Sequence, residues 1–189
     1  MTLPHAERSN IPNGSLAEHA FPRIDYADTY RVQLPPNAPH DIDILYQTVF
    51  SLPSTSWVVR LMSLRNRLVR IIGLKTVEPQ DTPLPSRPLQ PGDKTKFLKV
   101  VDRSANELLL GEDDRHLDLR ISVLRQENET SVWLVVTTVV RFNNWLGRLY
   151  FLPVRPFHQR IVPWMLNSAA NTFRTKSIPA AEVASGKAL

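Results

Sequence analysis

The sequence predicts an α+β fold in which a curved antiparallel β-sheet wraps around a long C-terminal helix, with two short helices after the first strand. Three observations lead to this prediction. Between residues 93 and 142, short apolar runs alternate with short polar breaks, which is typical of consecutive antiparallel strands. Two segments between residues 41 and 73 carry apolar residues at helical spacing. A last segment with helical spacing ends near residue 174.

The first part of the chain predicts a leader, one strand and two helices. Residues 1–24 mix Pro, Asn, Ser and Gly with little periodicity, so we expect a mostly disordered leader. Residues 25–34 alternate apolar and polar side chains, as a half-buried strand does. Residues 41–50 open with Asp41, a favourable N-cap, and continue with apolar residues at helical spacing. Residues 57–72 predict the second helix, which Gly73 ends. The apolar positions of the first helix are Ile42, Leu45, Tyr46 and Val49.

A proline-rich loop and four strands follow. Residues 77–92 contain five prolines and predict a stiff, extended loop. This loop could be a spacer, a rim or lid over a pocket, or a polyproline ligand for a partner domain. The predicted strands cover residues 94–101, 106–111, 115–125 and 131–142, and the fourth is apolar on both faces, which indicates a central strand. In the third strand, side-chain alternation directs Leu117, Leu119, Ile121 and Val123 to one face and His116, Asp118, Arg120 and Ser122 to the other.

The C-terminal helix is predicted to begin near Pro156, because proline is tolerated in the first helical turn and Gly147 and Pro153 interrupt the pattern before it. Residues 175–189 predict a flexible tail. This order of elements is that of a helix-grip, START-like domain, in which the space between the sheet and the last helix is commonly a ligand cavity. We therefore expect a single helix-grip domain over residues 25–174.

Composition restricts the function classes. A chain of 189 residues is long enough for one domain with one core. The absence of cysteine excludes disulfides, a thiol nucleophile and a thiolate metal site, and it fits a reducing cytoplasm. The N-terminus has no signal-peptide pattern, and no apolar run is long enough for stable membrane insertion. The net charge is +5, but the arginines are spread along the chain, so we expect no nucleic-acid partner.

Four stretches resemble a bacterial family catalogued as domain of unknown function 2867. They cover residues 25–35, 61–75, 106–124 and 139–166. The resemblance implies a fold and no reaction, because the family is uncharacterised. Related domains occur fused behind NAD(P)-binding, short-chain-dehydrogenase-like domains. This chain has no Gly-rich dinucleotide fingerprint after a strand, so we expect no cofactor.

One arginine lies where an apolar residue is expected. Arg65 falls inside the apolar arc of the predicted second helix. A buried guanidinium needs a partner, and the acidic hairpin offers Asp113, Asp114 or Asp118. Such a pair could dock the helix on the hairpin, or it could anchor a ligand in an apolar pocket. The alternative is that Arg65 reaches solvent along its aliphatic stem.

The histidines offer a second candidate constellation. His116 and Asp118 project from the same face of a strand, and with His158 of the C-terminal helix they could hold a metal or form an acid–base dyad. Because that face is opposite the leucine row, we expect cross-strand hydrogen bonds and ion pairs instead, and no metal. Arg155, His158 and Arg160, near the predicted helix start, could bind an anion or form ordinary surface charge.

The leading functional hypothesis is a non-enzymatic, cytoplasmic module that binds a small apolar or amphipathic molecule between the sheet and the C-terminal helix. Motifs for a serine nucleophile, a zinc protease or a P-loop are absent from the sequence. The alternatives are an enzyme that uses Asp118, His116 or His158 as acid–base groups, and an interaction domain without a ligand. The oligomeric state stays open. The candidate ligand-binding residues are Arg65, Asp113, Asp118, Trp57, Phe142, Tyr150, Phe157, His158, Trp164 and Met165.

Overall fold

The computed structural model describes residues 4–50, 85, 87–95 and 98–176. The predicted second helix, with Trp57 and Arg65, lies outside the described residues, as do most of the proline-rich loop and residues 177–189. The elements are β1 (Glu7–Arg8), β2 (Tyr26–Leu34), α1 (Ile42–Phe50), β3 (Lys99–Arg103), β4 (Glu107–Asp113), β5 (Leu117–Glu127), β6 (Val132–Phe142) and α2 (Trp145–Lys176). None of the helices in these residues has the length and apolar character needed to cross a bilayer.

Within the described residues, the strands form one antiparallel sheet of six strands in the order β1-β2-β6-β5-β4-β3. Strands β3 to β6 are consecutive neighbours, so the predicted antiparallel meander is confirmed. β6 pairs along its length with both β2 and β5, and its residues from Leu134 to Val140 are buried. The prediction that β6 is the central strand is therefore confirmed.

The two described helices cover one face of this sheet. α2 packs on β2 and β6, whereas α1 packs on β4, β5 and α2. Because side chains alternate along a strand, β5 directs the predicted leucine row toward these helices. The aliphatic core between the layers includes Val32, Leu110, Val123, Val136, Ile161, Met165 and Leu166.

Helix α1 forms as the sequence predicts. The Oδ1 atom of Asp41 accepts the amide N–H of Asp43 at 2.8 Å, and its carbonyl accepts the N–H of Leu45 at 3.2 Å, so Asp41 is the N-cap. All four predicted apolar positions are buried. Arg103 of β3 donates to both carboxylate oxygens of Asp43 at 2.9 Å, which fixes the start of α1 against the sheet.

Helix α2 begins at Trp145, eleven residues before the predicted start at Pro156, and it contains Pro153, Pro156 and Pro163. Proline removes a helical hydrogen bond, so local propensity disfavours this helix. Burial outweighs that cost, since Tyr150 and Phe151, which precede Pro153, are both buried.

The opposite face of the sheet is covered by the N-terminal segment, residues 9–24. These residues carry no periodic pattern and suggested a disordered leader, but the structure places Ala17 and Phe21 in buried positions. The Phe21 ring lies under two guanidinium groups, with Arg120 at 4.8 Å and Arg141 at 5.2 Å from its centroid. The chain before this segment adds β1 to the edge of the sheet beside β2.

Candidate functional site

A polar cluster lies between the sheet and α2, inside an otherwise apolar interface. It contains Tyr26 and Asp28 of β2, Thr138 of β6, and His158 and Gln159 of α2. Tyr26 and Asp28 are two residues apart and therefore share the face of β2 that packs on α2. The strand register places Asp28 directly opposite Thr138, so the two neighbouring strands present both side chains to His158.

The carboxylate of Asp28 is the centre of this cluster. Its side chain is only 1% exposed, and a buried carboxylate requires hydrogen-bond donors. Tyr26 donates its hydroxyl to Oδ2 at 2.6 Å, and His158 Nε2 lies 3.1 Å from Oδ1. Because an ionised carboxylate only accepts, the Nε2 atom of His158 carries the proton of this contact. Asp28 thus fixes the tautomer and the orientation of the imidazole.

The arrangement leaves one side of the His158 ring available for chemistry. Thr138 Oγ1 lies 3.0 Å from the same Nε2 atom, so within the described part of the chain both hydrogen bonds of the ring use Nε2. The Nδ1 atom remains to accept a proton or a hydrogen bond. The His158 side chain is 17% exposed, so part of it is in contact with solvent.

Tyr26 is held as a neutral phenol. Burial of the ring, followed by the hydrogen bond to Asp28 and the negative charge of Asp28, raises the pKa of Tyr26 to about 12. Gln159 donates its amide N–H to the Tyr26 oxygen at 3.3 Å, and this hydrogen bond lowers the pKa of Tyr26 by less than the other effects raise it. At neutral pH the hydroxyl proton therefore stays on Tyr26 and points to Asp28.

Aromatic rings and one cation border the polar cluster. The Phe151 ring meets Tyr26 edge to face at 4.6 Å, and Phe142 lies 5.5 Å from Phe151. The exposed Arg155 places its guanidinium 5.3 Å from the Tyr26 ring centroid. The surroundings thus combine an apolar wall with a positive charge at the solvent side.

A profile of the family described as protein of unknown function (DUF2867) matches residues 20–165. This chain belongs to that family. The match includes every residue of the polar cluster and confirms the family resemblance. No curated protein matches the chain, and no solved structure matches it.

In this DUF2867 protein, the acidic residues of the hairpin have partners outside the polar cluster. Arg120 donates to both carboxylate oxygens of Asp113, at 2.6 and 3.2 Å. Arg141 donates to Asp118 across the β5–β6 pair, with distances of 3.0 and 2.5 Å. Both are cross-strand or local ion pairs on the face away from α2. The predicted pairing with Arg65 lies outside the described residues.

The three groups of the predicted histidine constellation lie in separate networks. His116 Nδ1 contacts Asn144 Oδ1 at 3.1 Å, at the junction of the β4–β5 turn with α2. Asp118 binds Arg141 on the far face, and His158 binds Asp28. Among the residues that the structure describes, no three His, Asp or Glu side chains are grouped as a metal site requires.

The other predicted ligand-binding residues divide between two places. Phe142 and the buried Tyr150 lie in or near the first half of α2. Met165 and Trp164 belong to the aliphatic core further along the helix, and Phe157 is half-buried. Of the predicted residues that the structure describes, His158 belongs to the polar cluster and Phe142 to its aromatic border.

The sequence interpretation missed Tyr26, Asp28 and Thr138. A signal for Asp28 was present, because alternation in β2 places Asp28 on the same face as Tyr30 and Val32. A carboxylate in such a row is either paired or functional. The pairing with His158 could not be read from the sequence, since the two residues are 130 positions apart.

Proposed function

We propose that this domain binds a small amphipathic molecule between the sheet and the first half of α2, with the His158–Asp28 pair as the polar contact. The observation that carries the proposal is the buried carboxylate of Asp28 in the interface of two apolar layers. Replacing a buried polar pair by aliphatic residues is often neutral or stabilising, so stability alone does not account for this pair. Buried, specifically paired ionisable groups beside an accessible ring are typical of functional sites.

The chemistry around the pair describes the ligand class. Nδ1 of His158 favours a hydroxyl or acid group, and the guanidinium of Arg155 favours a negative charge. The rings of Phe142 and Phe151 favour an apolar body next to that polar end. We therefore propose a ligand with one acidic or hydroxylated end and an apolar remainder.

The finer structural assignment and the location belong to the same proposal. A helix-grip, START-like arrangement is supported by the element order and by a long C-terminal helix that lies across an antiparallel sheet. The resemblance supports a bacterial source. The cysteine-free sequence supports a cytoplasmic location.

A second candidate function is acid–base catalysis at the same place. The specific observation in its favour is the contact of Asp28 with Nε2 of His158, which leaves Nδ1 as a general base. In that case the bound molecule is a substrate, and its mass changes when His158 is lost.

Native mass spectrometry of the protein purified from its own host tests the proposal. We expect a stoichiometric small-molecule mass on the wild type and on the His40→Gln control, and a much reduced fraction on His158→Gln. The control removes an exposed histidine that lies outside the polar cluster. Only the unliganded mass in every host preparation would contradict the proposal. The same ligand mass on wild type and on residual His158→Gln complex favours binding, whereas a different mass favours catalysis.

A further inference from the structure

The first half of α2 is apolar on the side that faces away from the sheet. Trp145, Leu149 and Leu152 are 67%, 50% and 66% exposed. Their spacing of four and three residues aligns them along one side of the helix, opposite the buried Tyr150 and Phe151. We call these three residues the outer stripe. A helical segment that is apolar on both sides is typical of one that is covered on both sides.

The charges beside the outer stripe indicate what covers it. Arg148, Arg155 and Arg160 are exposed on the same half of the helix. The whole of α2, residues 145–176, contains no Asp or Glu. A second copy of this chain would bring arginines against arginines, which is unfavourable at an interface with low dielectric. The charges are complementary to a negatively charged surface.

We propose that the outer stripe docks α2 on an anionic lipid surface. The stripe projects from a helix as a ridge, and a fluid lipid surface accepts a ridge without a preformed groove. Trp prefers the boundary between headgroups and acyl chains, Leu enters the acyl region, and Arg binds lipid phosphates. The helix lies along the surface and does not cross it, so the binding is peripheral and reversible.

The acidic turn at the start of α2 limits the strength of this docking. Gly147 lies directly against the backbone of His116, so the carboxylate of Asp114, which accepts the N–H of His116, is close to the first turn of the helix. The exposed Arg115 lies in the same turn and offsets part of this negative charge. Docking therefore depends on a modest excess of positive charge, and added salt weakens it.

Vesicle flotation of the full chain tests the proposal. We expect binding to vesicles of phosphatidylcholine with phosphatidylglycerol, and little binding to phosphatidylcholine alone. The double variant Trp145→Ser with Leu152→Ser loses about tenfold or more of the partition coefficient, because two apolar side chains no longer leave water. The matched control is Ile44→Ser with Val101→Ser, which removes two exposed apolar side chains elsewhere and keeps the wild-type partition coefficient.

A charge variant tests whether the arginines beside the outer stripe bind the anionic lipids. Arg148→Gln with Arg160→Gln leaves the stripe intact and lowers the partition coefficient on anionic vesicles by about fivefold for each arginine. Unchanged binding by the stripe variant, or equal binding to both vesicle types, would overturn the proposal. So would a concentration-dependent dimer, measured by sedimentation equilibrium, that the stripe variant abolishes, because a second copy would then cover the stripe. Circular dichroism confirms that each variant is folded.

Discussion

At the residue scale, the distinctive feature is Asp28, a carboxylate at a position where an aliphatic side chain would fit. Its neighbours on the same face of β2, Tyr30, Val32 and Leu34, are buried in the hydrophobic core. The carboxylate is nevertheless satisfied, because Tyr26 and His158 occupy both of its oxygens. Tyr26 therefore reports on the electrostatic state of the cluster, and its ionisation is open to measurement.

The stability of the fold should fall at high pH because of Tyr26. The pKa of Tyr26 is about 12 in the folded protein and about 10 in an unfolded chain. Between these values the unfolded chain binds fewer protons than the folded protein, so the free energy of unfolding decreases as pH rises through this window. Tyr26→Phe should show a shallower decrease, measured from urea midpoints between about pH 9 and about pH 12.

Asp28→Asn provides the matched variant for this experiment. It removes the negative charge that raises the pKa of Tyr26 but keeps the burial of the ring, which is the larger cause. Its dependence on pH should therefore lie between those of the wild type and Tyr26→Phe. An equal dependence of the free energy of unfolding on pH in the wild type and in Tyr26→Phe would show that folding does not raise the pKa of Tyr26.

At the element scale, the junction between the β4–β5 turn and α2 positions the start of the helix. Asn144 accepts the N–H of Gly147 at 3.2 Å through its side-chain oxygen, and its amide donates to the Arg115 carbonyl at 2.9 Å. The side-chain amide of Asn143 donates to the Asp114 carbonyl and to Asp118. These contacts fix where α2 enters, and hence the position of His158 over β2.

Gly147 is the residue that permits this close approach. A Cβ atom at this position would overlap the backbone carbonyl of His116, which is not free to move because it accepts the N–H of Asn143. Alanine normally stabilises a helix interior relative to glycine by about 1 kcal/mol. Here we expect Gly147→Ala to lower the free energy of unfolding by about 1–3 kcal/mol, measured by urea titration.

Asn171→Ala is the control for helix propensity, because Asn171 is exposed in the same helix. It should change the free energy of unfolding by less than about 0.5 kcal/mol or raise it slightly. If Gly147→Ala behaved like this control, the first turn of α2 would not lie against the turn before β5.

At the scale of the whole molecule, the elements that can be predicted from the sequence are those with a periodic pattern of apolar residues. Strands β2 and β4 to β6 and helix α1 follow from alternation or helical spacing, because each pattern lies within one element. The start of α2 was predicted wrongly, since three prolines oppose the helix locally and burial of its aromatic residues favours it. The partner of His158 also required the fold, because only the sheet register brings Asp28 and Thr138 together.

The N-terminal segment was missed for the same reason. Its buried residues, Ala17 and Phe21, are isolated in a polar stretch and form no periodic pattern. They belong to a segment that covers the face of the sheet away from α2, which is itself apolar in part, at Leu109, Val135 and Val139. A long-range contact of this kind carries no local signal.

The attachment of this segment depends on a buried carboxylate in β4. Glu107 is 3% exposed, and its side chain accepts the N–H of Leu16 at 2.8 Å and the hydroxyl of Ser122 at 2.5 Å. Glu107→Ala leaves both donors without this acceptor, and we expect a loss of about 1–3 kcal/mol in the free energy of unfolding. Amide hydrogen exchange should accelerate in residues 9–24 before it does so in β6, because the segment is released while the rest of the sheet persists.

Glu112→Ala is the matched control, since Glu112 is an exposed glutamate in the same strand. It should leave both the urea midpoint and the exchange of residues 9–24 unchanged. If residues 9–24 of the wild type exchanged as fast as an unstructured peptide, the segment would not cover the sheet. If residues 9–24 were protected from exchange in both the wild type and Glu107→Ala, apolar contacts such as those of Phe21 would hold the segment without Glu107. The two results together therefore separate the polar from the apolar part of this attachment.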